Sequence, residues 1–83
     1  MNRIALVTGV AGGIGCATAQ KLCTEGMTVL GMDIAPKMPA DIDGNFTYFQ
    51  GDLSRAEDRQ AFVHTAVERY GRVDVLVNVA GVA

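Results

Sequence analysis

The stretch Ile4-Ala5-Leu6-Val7-Thr8-Gly9-Val10-Ala11-Gly12-Gly13-Ile14-Gly15 decides how this chain folds. Its first part, from Ile4 to Val7, is continuously apolar, which is the composition of a strand buried on both faces of a sheet. Glycines then recur at Gly9, Gly12, Gly13 and Gly15, the signal of a tight turn opening into a helix. Such a turn aims free backbone N–H groups and the positive end of a helix dipole at one point in space. That arrangement suits a pyrophosphate. A Cβ at Gly9, Gly13 or Gly15 would block the turn or hold a ligand off the backbone. The spacing is Gly-x-x-x-Gly-x-Gly, not the commoner Gly-x-Gly-x-x-Gly.

Outward from this turn the chain alternates between two periodicities. The first strand covers residues 3–7, and a helix is expected over residues 13–25, burying Ile14, Ala17, Thr18 and Leu22 and stopping at Gly26. Residues 27–32 read as a second strand ended by Asp33. Pro36, Pro39 and Gly44 exclude a long helix in the next segment, which leaves one irregular turn. Residues 45–50, with Phe46, Tyr48 and Phe49, read as a third strand. Ser54-Arg55-Ala56-Glu57 has the form of a capping box. It opens a helix over residues 54–70 whose Phe62, Val63, Ala66, Val67 and Tyr70 share one face, and Gly71 ends it. Residues 73–77 form a fourth strand, and Asn78-Val79-Ala80-Gly81 is the loop beyond.

Strands alternating with helices define an α/β fold with a partial doubly wound parallel sheet. Right-handed crossovers order its strands. The second and third step outward from the first with their connections on one face, and the fourth returns to the other side of the first. The strand order is therefore 3-2-1-4, in three α/β/α layers. The switch point lies between strands one and four, where the glycine turn and the Asn78 loop both end.

Asp33 lies eighteen residues after Gly15, near the spacing of an acid that accepts hydrogen bonds from both ribose hydroxyls of an adenosine. A carboxylate there repels a 2′-phosphate, so NAD is favoured over NADP, with Lys37 close enough in sequence to soften that repulsion. The competing reading is an exposed aspartate that merely ends a strand. Asp52, just before the third connection's helix, suits an electrostatic role at that helix's N-terminus.

The chain resembles the short-chain dehydrogenase/reductase family, whose first turn reads Thr-Gly-x-x-x-Gly-x-Gly, as at Thr8 to Gly15 here. Asp52-Leu53 is similar to the family's Asp-aliphatic pair, and Asn78-Val79-Ala80-Gly81 resembles its Asn-Asn-Ala-Gly, with Val79 replacing the second Asn. The resemblance implies a Rossmann-type fold, with residues 1–83 forming the N-terminal part of one dinucleotide-binding domain. It implies cofactor contacts at Gly9, Ala11, Gly12, Gly13, Ile14 and Gly15, at Asp33 and Ile34, at Asp52 and Leu53 against the adenine, and at Asn78, Ala80 and Gly81. Asn78 would tie the fourth strand to its neighbour through its amide. The parent enzyme would move a hydride between NAD(H) and a small alcohol or ketone.

The family's Tyr-x-x-x-Lys pair and catalytic Ser are expected downstream, in a C-terminal catalytic half outside these residues. Tyr48 and Tyr70 are followed four positions later by Asp52 and Asp74, and Ser54 is the only serine. No catalytic residue is therefore assigned. The resemblance spans the whole chain and the first half of the family's usual length.

Composition narrows the rest. The chain has 83 residues, 49% of them apolar, with a net charge of −2, so it makes one small globular unit. Lysines and arginines are scattered and aromatics few, which argues against nucleic acid. Every apolar run is shorter than the roughly 18–20 residues a membrane span needs. Met1-Asn2-Arg3 ahead of the apolar run imitates a signal peptide, but the run passes straight into glycines and reads as a strand. Cys16 and Cys23 lie too far apart along one helix for a disulfide, and with one histidine a metal site is not expected. Both cysteines read as packing residues and His64 as a solvent-facing one. The expectation is a cytoplasmic protein with reduced thiols. Its apolar fourth strand, guarded by Asp74 alone, is expected to self-associate as an open edge.

Overall fold

A computed structural model describes residues 3–79. The elements are β1 (Ile4–Thr8), α1 (Gly13–Thr24), β2 (Thr28–Asp33), β3 (Phe46–Gln50), α2 (Ala56–Tyr70) and β4 (Val75–Asn78). The sheet is parallel throughout, in the order β3-β2-β1-β4. Its strands each start or end one or two residues from the sequence expectation, and Asn78 closes β4 instead of opening a loop.

Alternation along β1 builds two cores. Ala5 and Val7 face one side and pack with Val10, Ala19, Cys23 and Val29 under α1. Leu6 faces the other side and packs with Leu30, Met32, Phe62 and Ala66 under α2. All five residues of β1 are buried, as their unbroken apolar character requires of a central strand. No helix forms between β2 and β3. Met38 and Ile42 of that connection pack against the α1-side core, and Gln20 clamps it by exchanging hydrogen bonds with both backbone groups of Asp43 at 3.0 Å.

Three expectations about the helices are corrected. In α1 the buried residues are Gly15, Ala19 and Cys23, while Ala17 and Ile14 are exposed, Ile14 to 73%. Small residues line this face because the helix starts against the turn. A Cβ on Gly15 would sit 2.0 Å from the Gly9 carbonyl oxygen, so no side chain fits where the helix starts, while Leu22 further along packs half-buried on the core. In α2, Phe62 and Ala66 are buried but Val63 and Val67 are each 48% exposed. The apolar stripe of α2 is wider than the sheet beneath it.

The capping box does not form. The N-cap of α2 is Arg55, without a side-chain cap. The Ser54 hydroxyl donates instead to Asp52 Oδ1 at 2.7 Å, a partner only two residues away, and Glu57 pairs with Arg55 at 3.0 Å. Gly26 and Gly71 follow the two helices as expected.

The fourth strand begins later than its apolar run because Asp74 intervenes. Asp74 N–H donates to the Ile4 carbonyl, and its carboxylate accepts the Ile4 N–H at 2.8 Å. A side chain thus takes the place of a ladder carbonyl.

Candidate functional site

The carboxyl ends of β1 and β2 and the segment after β3 meet in a pocket of about 460 Å³ lined by Thr8, Gly9, Met32, Asp33, Ile34, Gly51, Asp52, Leu53 and Ser54. Pockets of this size hold small organic ligands. Four expected site residues besides Gly9 are therefore brought together: Asp33, Ile34, Asp52 and Leu53. Ala11 to Gly15 stand beside the pocket as the turn and the first residues of α1. Asn78 lines a separate apolar groove with Leu6, Leu53, Phe62, Val73 and Leu76. The expectations for Ala80 and Gly81 lie outside the described residues.

The glycine turn is held by the strand beside it. Gly9 takes a positive φ of 72°, and the N–H groups of Gly9 and Val10 both donate to the Met32 carbonyl, at 2.9 and 3.3 Å. The Ala11 N–H donates to Asp33 Oδ2 at 2.9 Å, and Gly12 donates back to Gly9. Cys16 is the first residue of α1 to bond a preceding carbonyl, that of Gly12 at 2.8 Å. The N–H groups of Gly13, Ile14 and Gly15 have no acceptor among the described residues. Gly12 at the N-cap offers no side chain, and the first turn holds no acid. The positive end of α1 is thus left for an anion.

Asp33 accepts one hydrogen bond on each oxygen, from Ile34 N–H at 2.7 Å and from Ala11 N–H. A carboxylate offers about four acceptor sites, so one on each oxygen remains for a pair of vicinal hydroxyls. The residues fit an adenosine ribose.

Asp52 is set by its neighbours. Its Oδ1 accepts both the hydroxyl and the backbone N–H of Ser54, at 2.7 and 2.9 Å, and Oδ2 takes neither. These bonds, the hydroxyl's first, hold the carboxyl below the ordinary aspartate range, so it stays an ionised acceptor. Its N–H donates to Asp58 Oδ2 at 2.8 Å, and Arg59 donates to the Leu53 carbonyl at 2.7 Å. The first turn of α2 therefore grips Asp52 and Leu53, four and three residues ahead of Ala56. The helix-end role considered for Asp52 falls to Glu57 and Asp58, which occupy the first turn.

Asn78 accepts a hydrogen bond from the Thr8 hydroxyl at 2.6 Å, which ties the end of β4 to β1 as expected. Reading the sequence alone missed Met32, Gly51, Asp58, Tyr48 and Gln50, and gave Thr8 no contact of its own. Gly51, directly before the Asp52-Leu53 pair, carried a usable signal. A Cβ there would meet Met32 Sδ and Phe49 Cε1, each at 3.0 Å. Asp58 reaches back from α2 to Asp52, and the others lie in contacts across the sheet that spacing does not show.

Cys16 and Cys23 are free thiols, and burial pushes the Cys23 pKa up. His64 is exposed and pairs with Glu68 at 2.8 Å, away from the pocket. Among the described residues no cluster of His, Cys, Asp and Glu suits a metal, and no helix is long and apolar enough to cross a membrane.

A parallel doubly wound sheet with its pocket at the strand ends defines a Rossmann-type nucleotide-binding fold. The sequence pattern described as short chain dehydrogenase matches residues 3–83, and the chain belongs to that family. It is 45% identical over 82 residues to the short-chain dehydrogenase/reductase cdmF of Talaromyces verruculosus, covering 95% of this chain and 32% of that protein. It is 32% identical over 89 residues to a diacetyl reductase, (S)-acetoin forming, of Staphylococcus epidermidis, covering 99% of this chain and 35% of that one. A metagenomic short-chain oxidoreductase solved in complex with NADP superposes with a TM-score of 0.88 at 33% identity, over 96% of this chain and 39% of that chain. The chain spans about a third of the length of these curated relatives, less than the half expected.

Proposed function

We propose that this chain is the N-terminal dinucleotide-binding part of a short-chain dehydrogenase/reductase that prefers NAD. The whole protein would transfer a hydride between NAD(H) and an alcohol/ketone pair in a reducing, cytoplasmic setting. The observation that carries the cofactor assignment is Asp33. Its carboxylate lines the pocket with two acceptor sites left for the ribose hydroxyls, and its charge opposes a 2′-phosphate. Bound NAD would supply the hydride acceptor. The N–H groups of Gly13, Ile14 and Gly15 would hold the pyrophosphate, with Gly9, Ala11 and Gly12 lining its approach as the turn. Asp33 and Ile34 would hold the ribose, Asp52 and Leu53 the adenine, and Asn78, Ala80 and Gly81 the far end of the cofactor.

Calorimetric titration of the 83-residue chain tests this reading. NAD should bind more tightly than NADP, and Asp33→Ala should remove most of that preference. Equal affinities in the unmutated chain would overturn it. The same chain should not turn over NADH with simple ketones, since Tyr48 and Tyr70 lack a lysine four residues on.

A second reading is favoured by the uncovered face of α2 and β4. Val63 and Val67 are 48% exposed and Leu76 is 64% exposed, along one continuous side of the fold. This supports a half-domain that binds an adenine nucleotide and assembles through β4 with another chain, without redox chemistry of its own.

A further inference from the structure

Three consecutive backbone carbonyls leaving β2 are all captured by side chains of β3. The Tyr48 hydroxyl lies 2.5 Å from the Ala35 carbonyl oxygen and 3.1 Å from that of Asp33, which the Gly51 N–H also binds at 2.9 Å. The Gln50 amide donates to the intervening Ile34 carbonyl at 3.2 Å. Tyr48 sits opposite Gly31 in the β2–β3 register, two residues short of Asp33. Its ring packs on the α1-side core, so the hydroxyl is carried on a fixed base. Desolvation and then the nearby Asp33 carboxylate raise the Tyr48 pKa, so the group keeps the proton it donates.

These contacts bear directly on Asp33. Its carboxylate bonds Ala11 N–H on one side and Ile34 N–H on the other. The Ile34 N–H is oriented by the same segment that Tyr48 and Gln50 hold. Loosening that segment would loosen the Ile34 N–H and leave the carboxylate held by Ala11 N–H alone. An immobile carboxylate excludes a 2′-phosphate, whereas a mobile one gives way to it.

We propose that Tyr48 is a positioning residue that sets the selectivity of the pocket between a free ribose 2′-hydroxyl and a 2′-phosphate, by locking the segment that carries Asp33. This rests on the reading of the pocket as an adenosine site.

The test compares the unmutated chain with Tyr48→Phe, which keeps the ring and removes only the hydroxyl. NAD and NADP affinities are measured by calorimetry, and amide hydrogen exchange is followed without nucleotide. The ratio of NADP to NAD dissociation constants should fall about three- to tenfold in Tyr48→Phe, the effect of one neutral hydrogen bond. Exchange at Ile34 and Ala11 should accelerate relative to β1. Simple loss of folded protein would weaken both nucleotides by the same factor and leave the ratio unchanged. An unchanged ratio, or unchanged protection at Ile34, overturns the role of Tyr48 while leaving the adenosine site standing. An unmutated chain that binds neither nucleotide overturns both.

Discussion

Two glycines two residues apart, Gly13 and Gly15, face opposite demands. A Cβ on Gly15 would lie 2.0 Å from Gly9 O, 2.7 Å from Gly9 C and 2.9 Å from Val10 Cα. All three are backbone atoms, so nothing flexible can yield. A Cβ on Gly13 meets nothing within 4 Å. Gly15→Ala is therefore expected to destabilise the fold by about 1–3 kcal/mol through overpacking. Gly13→Ala is expected to be neutral or stabilising by up to about 1 kcal/mol, because alanine is the better helix former. It should nevertheless weaken nucleotide binding, since the open space beside Gly13 is where the pyrophosphate would approach. Thermal denaturation checks the first pair of outcomes and calorimetry the second. A Gly13→Ala chain as unstable as Gly15→Ala would contradict the geometry. At this scale the sequence singles out Gly9, Asp33, Ile34, Asp52 and Leu53, which the structure gathers at one pocket, but not the bonds that hold them there. It marked Asp33 by its distance from Gly15, but could not show that the carboxylate also anchors Ala11, because that bond depends on how two strand ends meet.

Elements were legible in number, type and order, because apolar runs and glycine stops mark them locally. Their faces were less so. Ile14 was expected inside α1 yet is exposed; the fully buried residues are Gly15, Ala19 and Cys23, with Leu22 half-buried against the same core. Likewise Ser54 and Glu57 spelled a cap, but a nearer acceptor on Asp52 claimed the serine. The start of β4 depends on another such local acid. Arg72 donates to the Asp74 carboxylate, with N–O distances down to 2.6 Å, and Ile4 N–H donates to it as well. These bonds, Arg72's first, hold the Asp74 carboxyl below the ordinary aspartate value of 3.8. A carboxyl with a lowered folded-state pKa takes up fewer protons than the unfolded chain does. Its stabilisation is complete above 3.8 and is lost as pH falls through the folded-state value. Asp52 acts in the same direction. Asp74→Asn is expected to lower stability at neutral pH and to flatten the decline in stability below pH 4, as followed by circular dichroism during acid titration. A variant that keeps the full acid sensitivity would remove Asp74 from this account.

The whole molecule is a sheet covered unevenly. Strand β1 is buried on both faces, whereas β4 alternates between half-buried Val75 and Val77 on the α1 side and exposed Leu76 on the α2 side. Among the described residues β4 pairs with β1 alone, so its outer edge presents unpaired N–H and C=O groups. Beside it an apolar groove of about 340 Å³ runs between Leu6, Phe62, Val63, Val73 and Leu76. Edges of this kind recruit other strands unless charged or kinked. Asp74 gives little protection, because Arg72 and Ile4 already engage its carboxylate. The relatives are about three times as long as this chain, and no local pattern in it could reveal which face their remainder covers. The 83-residue chain is therefore expected to sediment as an associated species at tens of micromolar. Leu76→Lys is the informative variant. Its side chain is 64% exposed and makes no part of either core, so a charge there should leave the fold intact and shift the chain toward monomer. Val75→Lys would confuse the two effects, because Val75 packs on the α1-side core. Val63→Ala trims only the half-exposed rim of α2 and should reduce association less. An unmutated chain that sediments as a monomer and melts cooperatively would show that the β4 edge is protected in some other way.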